Sequence, residues 1–309
     1  MYEHLDASAS VAMDLSDDER AERMLIDRFI LHERLNPIFK HVEFLRFSPR
    51  KIRASGLVVY GPPGSGKSML AAAIRRRYPQ LPATEGLPAT SPILYIGMTG
   101  AKEAKQIYER ILESLGIPDL YVGSRRERMT LKVCRQAQVK LLMLDEIQDV
   151  LSSTDRQMKN ALETIRLLMN ELSLPVIALG TGMAQQAMSQ DPHLNARFAY
   201  RELPTWSQGV YLDRFLGTLE RLLPLKSPSN LAAPETTRLL VEMSVGILDD
   251  IVKLVTHAGA YAIETGAERI THDCIKMASL GPPNASVRRA IRAAAEAAER
   301  SAKDKPQVP

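Results

Sequence analysis

The stretch Gly61-Pro62-Pro63-Gly64-Ser65-Gly66-Lys67-Ser68 matches G-x-x-x-x-G-K-[ST] at every fixed position. Leu57-Val58-Val59-Tyr60 ahead of it reads as a short buried strand, and Met69-Leu70-Ala71-Ala72-Ala73-Ile74-Arg75 behind it reads as a helix. That is the setting of a phosphate cradle. The glycines let successive backbone N–H groups curl around phosphate oxygens, Lys67 reaches the β- and γ-phosphates, and Ser68 ligates Mg²⁺. A Gly/Pro surface turn would account for the loop, but not for a lysine that opens a helix. Residues 61–68 and the adjoining Met69 are the expected ATP-binding set.

Lys140-Leu141-Leu142-Met143-Leu144-Asp145-Glu146 reads as a buried strand ending in two carboxylates. At the carboxyl end of a strand beside the phosphate loop, Asp145 is placed to hold Mg²⁺ through a water. Glu146 is placed to orient or deprotonate the water that attacks the γ-phosphate. A polar strand terminus is the competing reading. Taken with Lys67, two acids point to hydrolysis rather than to ATP binding alone. Thr181, just past the strand Val176-Ile177-Ala178-Leu179, is a candidate ligand of the γ-phosphate or of the water, or else a turn threonine. Asn170 is a supporting candidate nearby, or simply a helix-end asparagine. In Pro192-His193-Leu194-Asn195-Ala196-Arg197-Phe198, Arg197 is the leading candidate for an arginine finger offered to a neighbouring subunit. Arg201 is second, and a surface salt bridge is the alternative for either.

The chain has 309 residues, long enough for one large domain or two packed ones, and its 45 % hydrophobic content supplies a core. Apolar stretches such as 141–144 and 175–179 fall far short of a bilayer span. The start Met1-Tyr2-Glu3-His4-Leu5-Asp6 has no signal-peptide core. Cys134 and Cys274 suit a reducing cytosol and form no metal cluster with the histidines, so a cytoplasmic protein without membrane association is expected. Net charge is only +4, which does not mark a nucleic-acid binder; the distribution says more. Residues 1–22 hold seven acids against Arg20. Bases gather at Arg46/Arg50/Lys51/Arg53, Arg75-Arg76-Arg77, Arg125-Arg126/Arg128/Lys132 and Arg288-Arg289/Arg292. Such clusters steer polyanions onto a surface, or are solvated faces.

Ser16 with Glu19 has capping-box spacing, predicting a helix from there to about residue 32 and a second over 34–46. Residues 1–48 are expected to be an acidic arm and helical segment, the first twenty or so an arm rather than core. Strand and helix patterns then alternate from 57 to about 205: a strand at 93–98, helices at 101–115, 124–138 and 159–171, and a proline-rich loop at 79–92. Alternation of this kind predicts an α/β fold with a mostly parallel sheet flanked by helices, here over 49–206. Beyond Pro204 the pattern is helical, with helices at 211–223, 234–244 and 246–261 and one capped by Thr271, giving a small all-helical domain over 207–283. Residues 284–309 form a basic, alanine-rich tail. Trp206, at the junction, is expected to pack between the domains, and Tyr60 to be packed; Asp155 reads as a loop residue or cap, and His257 as an ordinary helical residue.

The combination resembles the AAA+ superfamily of P-loop ATPases and, within it, the TniB/TnsC-like transposition ATPases. The shared pieces are 61–68, 141–146 with Ile147-Gln148, Asn160-Ala161-Leu162 through Pro175-Val176, Gly180-Thr181, and Asn195-Ala196-Arg197-Phe198. The resemblance implies binding of ATP with Mg²⁺ and of double-stranded DNA, and a homo-oligomer, ring or helical filament, on that DNA. It also implies partners: an integrase-like DDE transposase of the TniA/TnsB type and a TniQ-like adaptor. Lys67 and Ser68 match Walker A, Asp145 and Glu146 Walker B, Thr181 sensor 1, and Arg197 the finger region. Gly246-Ile247-Leu248-Asp249-Asp250 departs from the pattern, offering acids and then Lys253 where many AAA+ proteins carry a sensor-2 arginine. Slow hydrolysis coupled to assembly is the implied consequence.

Two further readings compete with a target-marking transposition ATPase. One is an origin-recognition or helicase-loader ATPase, which the short segment after Gly281 disfavours because it is too small for a typical winged helix. The other is a nucleotide-gated protein-interaction module that does not engage DNA.

Overall fold

The structure, a computed structural model, describes residues 2–49, 54–81, 90–117, 124–151 and 154–281. The chain divides into two compact units: Glu33–Pro204, and Met1–His32 together with Thr205–Pro309. In chain order the helices α1 (Ala7–Ala12), α2 (Asp17–Met24) and α3 (Asn36–Phe47) precede the first strand. Then follow β1 (Gly56–Tyr60), α4 (Lys67–Arg77), β2 (Ile93–Gly97), α5 (Lys105–Ser114), α6 (Ser124–Gln136) and β3 (Leu141–Asp145). After these come α7 (Gln148–Leu151), α8 (Asp155–Leu172), β4 (Val176–Gly180), α9 (Gly182–Gln190), α10 (Pro192–Asn195) and β5 (Phe198–Glu202). The chain continues through α11 (Val210–Arg221), α12 (Pro234–Ser244), α13 (Leu248–Glu264) and α14 (His272–Ala278).

Among the described residues of Glu33–Pro204, five strands form one sheet in the order β2-β3-β4-β1-β5, every neighbouring pair parallel. The interior strands β3 and β4 are buried along their whole length, which explains their unbroken apolar sequences: helices cover both faces, so no position alternates to water. The register aligns Tyr60 with Gly180 and Gly97 with Asp145, so the carboxyl ends of β1, β4 and β3 lie side by side. The edge strand β5 pairs with β1 in a Phe-Ala-Tyr-Arg-Glu run whose polar end is exposed. Gly56 has no room for a side chain because the Phe198 ring occupies it; an added Cβ would stand 2.3 Å from that ring.

Helix ends carry their own chemistry. Thr154 caps α8 with a reciprocal capping box to Gln157, so Asp155 is the first helical residue rather than a loop. Gly66 is the N-cap of α4, with a φ of 92° that is open to glycine and strained for other residues.

In the other unit, the Ser16–Glu19 capping box forms as expected, but α2 ends at Met24. Residues 2–32 are not a free acidic arm. Met24 is fully buried against α13, where Gly259 leaves space for its sulfur, and Ala21 lies in the same core. Arg20, the lone base of the acidic stretch, is buried and makes two hydrogen bonds to Glu268, Nη2 to Oε1 at 2.6 Å and Nη1 to Oε2 at 3.0 Å. The pair, with Asp17 at 2.8 Å and Lys226 at 2.8 Å, assigns the segment to the helical unit rather than to the sheet. Trp206 also belongs there: its ring packs edge-on to His32 and against Phe215, and its backbone N–H donates to Gly246 O at 2.7 Å. It is a core residue of one unit, because the backbone pairing with Gly246 draws it into the helices. Thr271 caps α14, accepting from Cys274 N. His257 lies on α13. Arg50, Lys51, Arg53, the middle of the proline-rich loop and the whole tail from 282 lie outside the described residues.

Candidate nucleotide site

At the carboxyl edge of the sheet, the residues after β1, β3 and β4 converge. The loop 61–66 turns back on itself, with Gly61 N bonded to Gly180 O and Ser65 N to Pro62 O. A Cβ on Gly61 would stand 2.4 Å from Leu203 O, and Gly64 takes φ 73°, so neither position suits another residue. Lys67 is 5 % exposed, and its ammonium donates to Gly61 O at 3.0 Å, Pro62 O at 2.9 Å and Ser65 Oγ at 3.3 Å. Burial pushes its pKa down, while Glu146 and Asp145 act to raise it. The net shift is downward, so desolvation outweighs the two carboxylates and the site gains from a further anion. Ser68 is exposed on the first turn of α4, and Met69 is half-buried beside it.

Asp145 is 2 % exposed. Its Oδ2 accepts from the Tyr95 phenol at 2.8 Å and its Oδ1 from Glu146 N at 2.9 Å. Glu146 carries a left-handed backbone, φ 53°, which sharply reverses the chain as it leaves β3. Its Oε2 accepts from Gln148 Nε2, and Gln148 Oε1 accepts from Thr181 N at 3.2 Å. Thr181 stands at the N-cap of α9, where a threonine hydroxyl ordinarily accepts a first-turn N–H. Here it makes no cap bond, and Oγ1 is buried without a partner.

Lys67, Asp145, Glu146 and Thr181 therefore meet at one edge. Arg197 does not join them. It precedes β5 at the opposite, amino edge, where its carbonyl accepts from Gly56 N and its Nη1 donates to Asn170 Oδ1 at 2.7 Å. From Gly56 to Tyr60 the strand rises about 13 Å, so Arg197 is remote from its own phosphate loop. Asn170 is accordingly not beside Thr181. It lies in the last turn of α8, before β4 begins, and so at the wrong end of the strand to support that residue. Arg201 is exposed on β5 and bonds Tyr200 O. Tyr95 carries no motif of its own and escapes a sequence reading; Gln148 enters it only within the shared Ile147-Gln148 that follows Glu146, with no role attached. A cavity of about 320 Å³ lined by Phe44, Phe47, Lys140 and Pro175 lies at the amino edge, away from the Lys67 chemistry.

The arrangement fits a nucleotide triphosphate. Two glycines hold left-handed backbone in the loop, a buried ammonium lies within it, and an unpartnered hydroxyl lies at the adjacent strand end. Hard oxygen donors, the Ser68 hydroxyl and the Asp145 carboxylate, suit Mg²⁺, which takes few protein ligands and completes its shell with phosphate and water. Among the described residues no group of three or more His, Cys, Asp and Glu side chains gathers into an all-protein metal site, and no helix is long and apolar enough to cross a membrane.

A parallel sheet in this strand order, with the phosphate loop after β1 and paired acids at the end of β3, is the P-loop fold of the AAA+ class. Solved structures bear the fold out. The ORC2 protein of Aeropyrum pernix in ADPNP-ADP complexes matches with a TM-score of 0.60 at 18 % identity, over 85 % of this chain and 72 % of that one. The ORC1 protein of the same organism in complex with DNA gives 0.58 at 16 % identity, over 84 % and 68 %. The Drosophila ORC bound to DNA gives 0.55 at 16 %, over 85 % and 65 %. At these identities the likeness is one of fold. No curated protein matches in sequence. The model of the bacterial TniB protein family matches residues 20–208, more than half of the chain, and the chain belongs to that family.

Proposed function

We propose that this TniB-family protein is an ATPase that binds double-stranded DNA in its ATP state, assembles on it as a homo-oligomer, and recruits or regulates a transposase. The observation that carries the ATPase reading is the meeting of buried Lys67, the Asp145–Glu146 pair and the unpartnered Thr181 hydroxyl at one sheet edge. Family membership and neighbours whose structures were determined with DNA support the DNA arm. The DDE transposase and TniQ-like adaptor come from the family resemblance.

In this reading Lys67 leaves the loop carbonyls for the β- and γ-phosphates, and the loop N–H groups hold the remaining oxygens. Ser68, and Asp145 through a water, would hold Mg²⁺, which would neutralise phosphate charge when bound. Glu146 orients the attacking water and takes its proton, and the Thr181 hydroxyl bonds the γ-phosphate. Arg197 acts on the site of a neighbouring subunit, since it is remote from its own. The helices of 207–283 serve as a lid. On α13 Lys253 forms an exposed pair with Asp249 at 2.6 Å, where the family pattern carries a sensor-2 arginine nearby.

Purified protein, duplex DNA and a non-hydrolysable ATP analogue test the reading together. Retention of DNA that requires the analogue and weakens with salt is expected, with particles larger than the monomer. Neither retention nor particles would remove the DNA arm, while nucleotide binding without DNA would favour the protein-interaction module.

A further inference from the structure

Gln148 touches both Glu146 and the end of β4 in the candidate site. Its amide N–H donates to Glu146 Oε2, and its amide oxygen accepts from Thr181 N at 3.2 Å. The end of β4 is shaped around it. An added Cβ on Gly180 would meet Gln148 Oε1 at 2.7 Å, along with Ala184 Cβ at 2.7 Å and the Ile147 side chain at 3.2 Å. Ile147 N in turn bonds Leu179 O, fixing the segment that carries Gln148 against the same strand. The chain reaches this geometry through the left-handed Glu146, a conformation that few glutamates adopt without a compensating contact.

An amide held at both arms suits positioning. A carboxylate that is only half-buried has several rotamers, and a hydrogen bond selects one of them at a cost in side-chain entropy. The same amide ends at the backbone of Thr181, whose hydroxyl is buried and unpartnered. We propose that Gln148 is a positioning residue that couples Glu146 to Thr181, so that a phosphate contact at the β4 end and the orientation of the water-activating carboxylate are set through one side chain. This rests on the ATPase reading above. Gln148 does not touch the reacting atoms in this scheme; it acts through Glu146.

Two variants of the full chain separate its arms. Gln148→Glu is isosteric and keeps an acceptor for Thr181 N but turns the donor toward Glu146 into a carboxylate oxygen. Gln148→Ala removes both contacts. The expected result is a fall in kcat of about tenfold or more for each, the loss of one charge-assisted hydrogen bond. The affinity for a fluorescent ATP analogue should stay within about twofold, because neither variant touches the phosphate loop. In the nucleotide-free protein, hydrogen exchange at the Thr181 amide should quicken in Gln148→Ala and remain slow in Gln148→Glu. Adding Gln148→Ala to Glu146→Gln should lower turnover no further. Wild-type kcat in Gln148→Glu would overturn the proposal and leave the ATPase reading intact. A folded wild-type protein with no ATP turnover would instead remove that reading, and the coupling with it. Equal loss of analogue affinity and kcat would also overturn it, by showing a general distortion of the site.

Discussion

Tyr95 and Asp145 are joined across β2 and β3 by a 2.8 Å hydrogen bond from the phenol to Oδ2. The ring lies under the guanidinium of Arg75, 4.7 Å from its centroid, so a surface arginine, a phenol and the buried carboxylate form one stack. Burial, with the neighbouring Asp145 carboxylate, pushes the Tyr95 hydroxyl well above its ordinary pKa, so it remains a donor across the working pH range. Tyr95→Phe removes that donor alone. The half-saturating Mg²⁺ concentration for ATP turnover should rise by roughly tenfold, the worth of a hydrogen bond to a charged group. An unchanged Mg²⁺ titration would show that Asp145 keeps its orientation without the phenol.

Arg197 and Lys67 sit at opposite edges of one sheet, and that separation makes a complementation test decisive. Arg197→Ala and Lys67→Ala should each be inactive alone, Arg197→Ala with analogue affinity intact. Mixed before assembly, they should regain measurable turnover, because some interfaces then pair an intact phosphate loop with an intact arginine. An arginine finger contributes a factor of about 10³ to 10⁵ in kcat, so even a small share of intact interfaces is visible. Mixed particles with no recovered activity would place the finger elsewhere, with Arg201 the next residue to change.

The basic clusters are not equivalent. Arg77 pairs with Glu43 and stacks with Arg46 on Tyr78, and Arg126 pairs with Glu109. Arg125, Arg128 and Lys132 are exposed on α6, at i, i+3 and i+7 spacing, and so form one stripe. Changing these three to alanine should weaken ATP-dependent DNA binding and lower the log–log salt slope by about 3, one unit per lost phosphate contact. An unchanged slope in a fluorescence-anisotropy salt titration would exclude the stripe as the DNA contact.

The Arg20–Glu268 pair gives the helical unit a pH dependence with a definite sign. Burial alone would raise the Glu268 carboxyl, but hydrogen bonds from Arg20 and Lys226 outweigh it and hold the pKa below its ordinary 4.5. A carboxyl lower in the folded than in the unfolded chain stabilises fully above the unfolded value. It loses that contribution as pH falls through the folded value. Glu268→Ala, which leaves Arg20 buried without its main partner, should cost roughly 3 kcal/mol near neutrality in urea melts. The difference from wild type should shrink below pH 4.5. A difference constant down to pH 3 would contradict this assignment.

Much of this architecture is written in local patterns. The phosphate loop, the apolar runs of β3 and β4 and the capping boxes at Ser16 and Thr154 each depend on neighbours a few residues away. Contacts across long separations are where the pattern gives out. Arg20 meets Glu268 248 positions later, and nothing in an acidic stretch announces that its single base is buried. β5 is an edge strand with an exposed polar end, so it lacks the continuous apolar run of its neighbours. Asn170 lies near Thr181 in sequence yet at the other end of β4, because a strand carries its two termini to opposite edges. Tyr95 reaches Asp145 only through the β2–β3 register.

The proposed ATPase requires a triphosphate held between Lys67 and the Asp145–Glu146 pair. Equilibrium titration of the folded 309-residue chain with a fluorescent ATP analogue and Mg²⁺ tests this most directly, with Lys67→Ala alongside. Saturable binding by the wild type, weakened by about a hundredfold in Lys67→Ala, is the expected result; a folded wild type with no measurable affinity, or a Lys67→Ala variant that binds equally well, would contradict it.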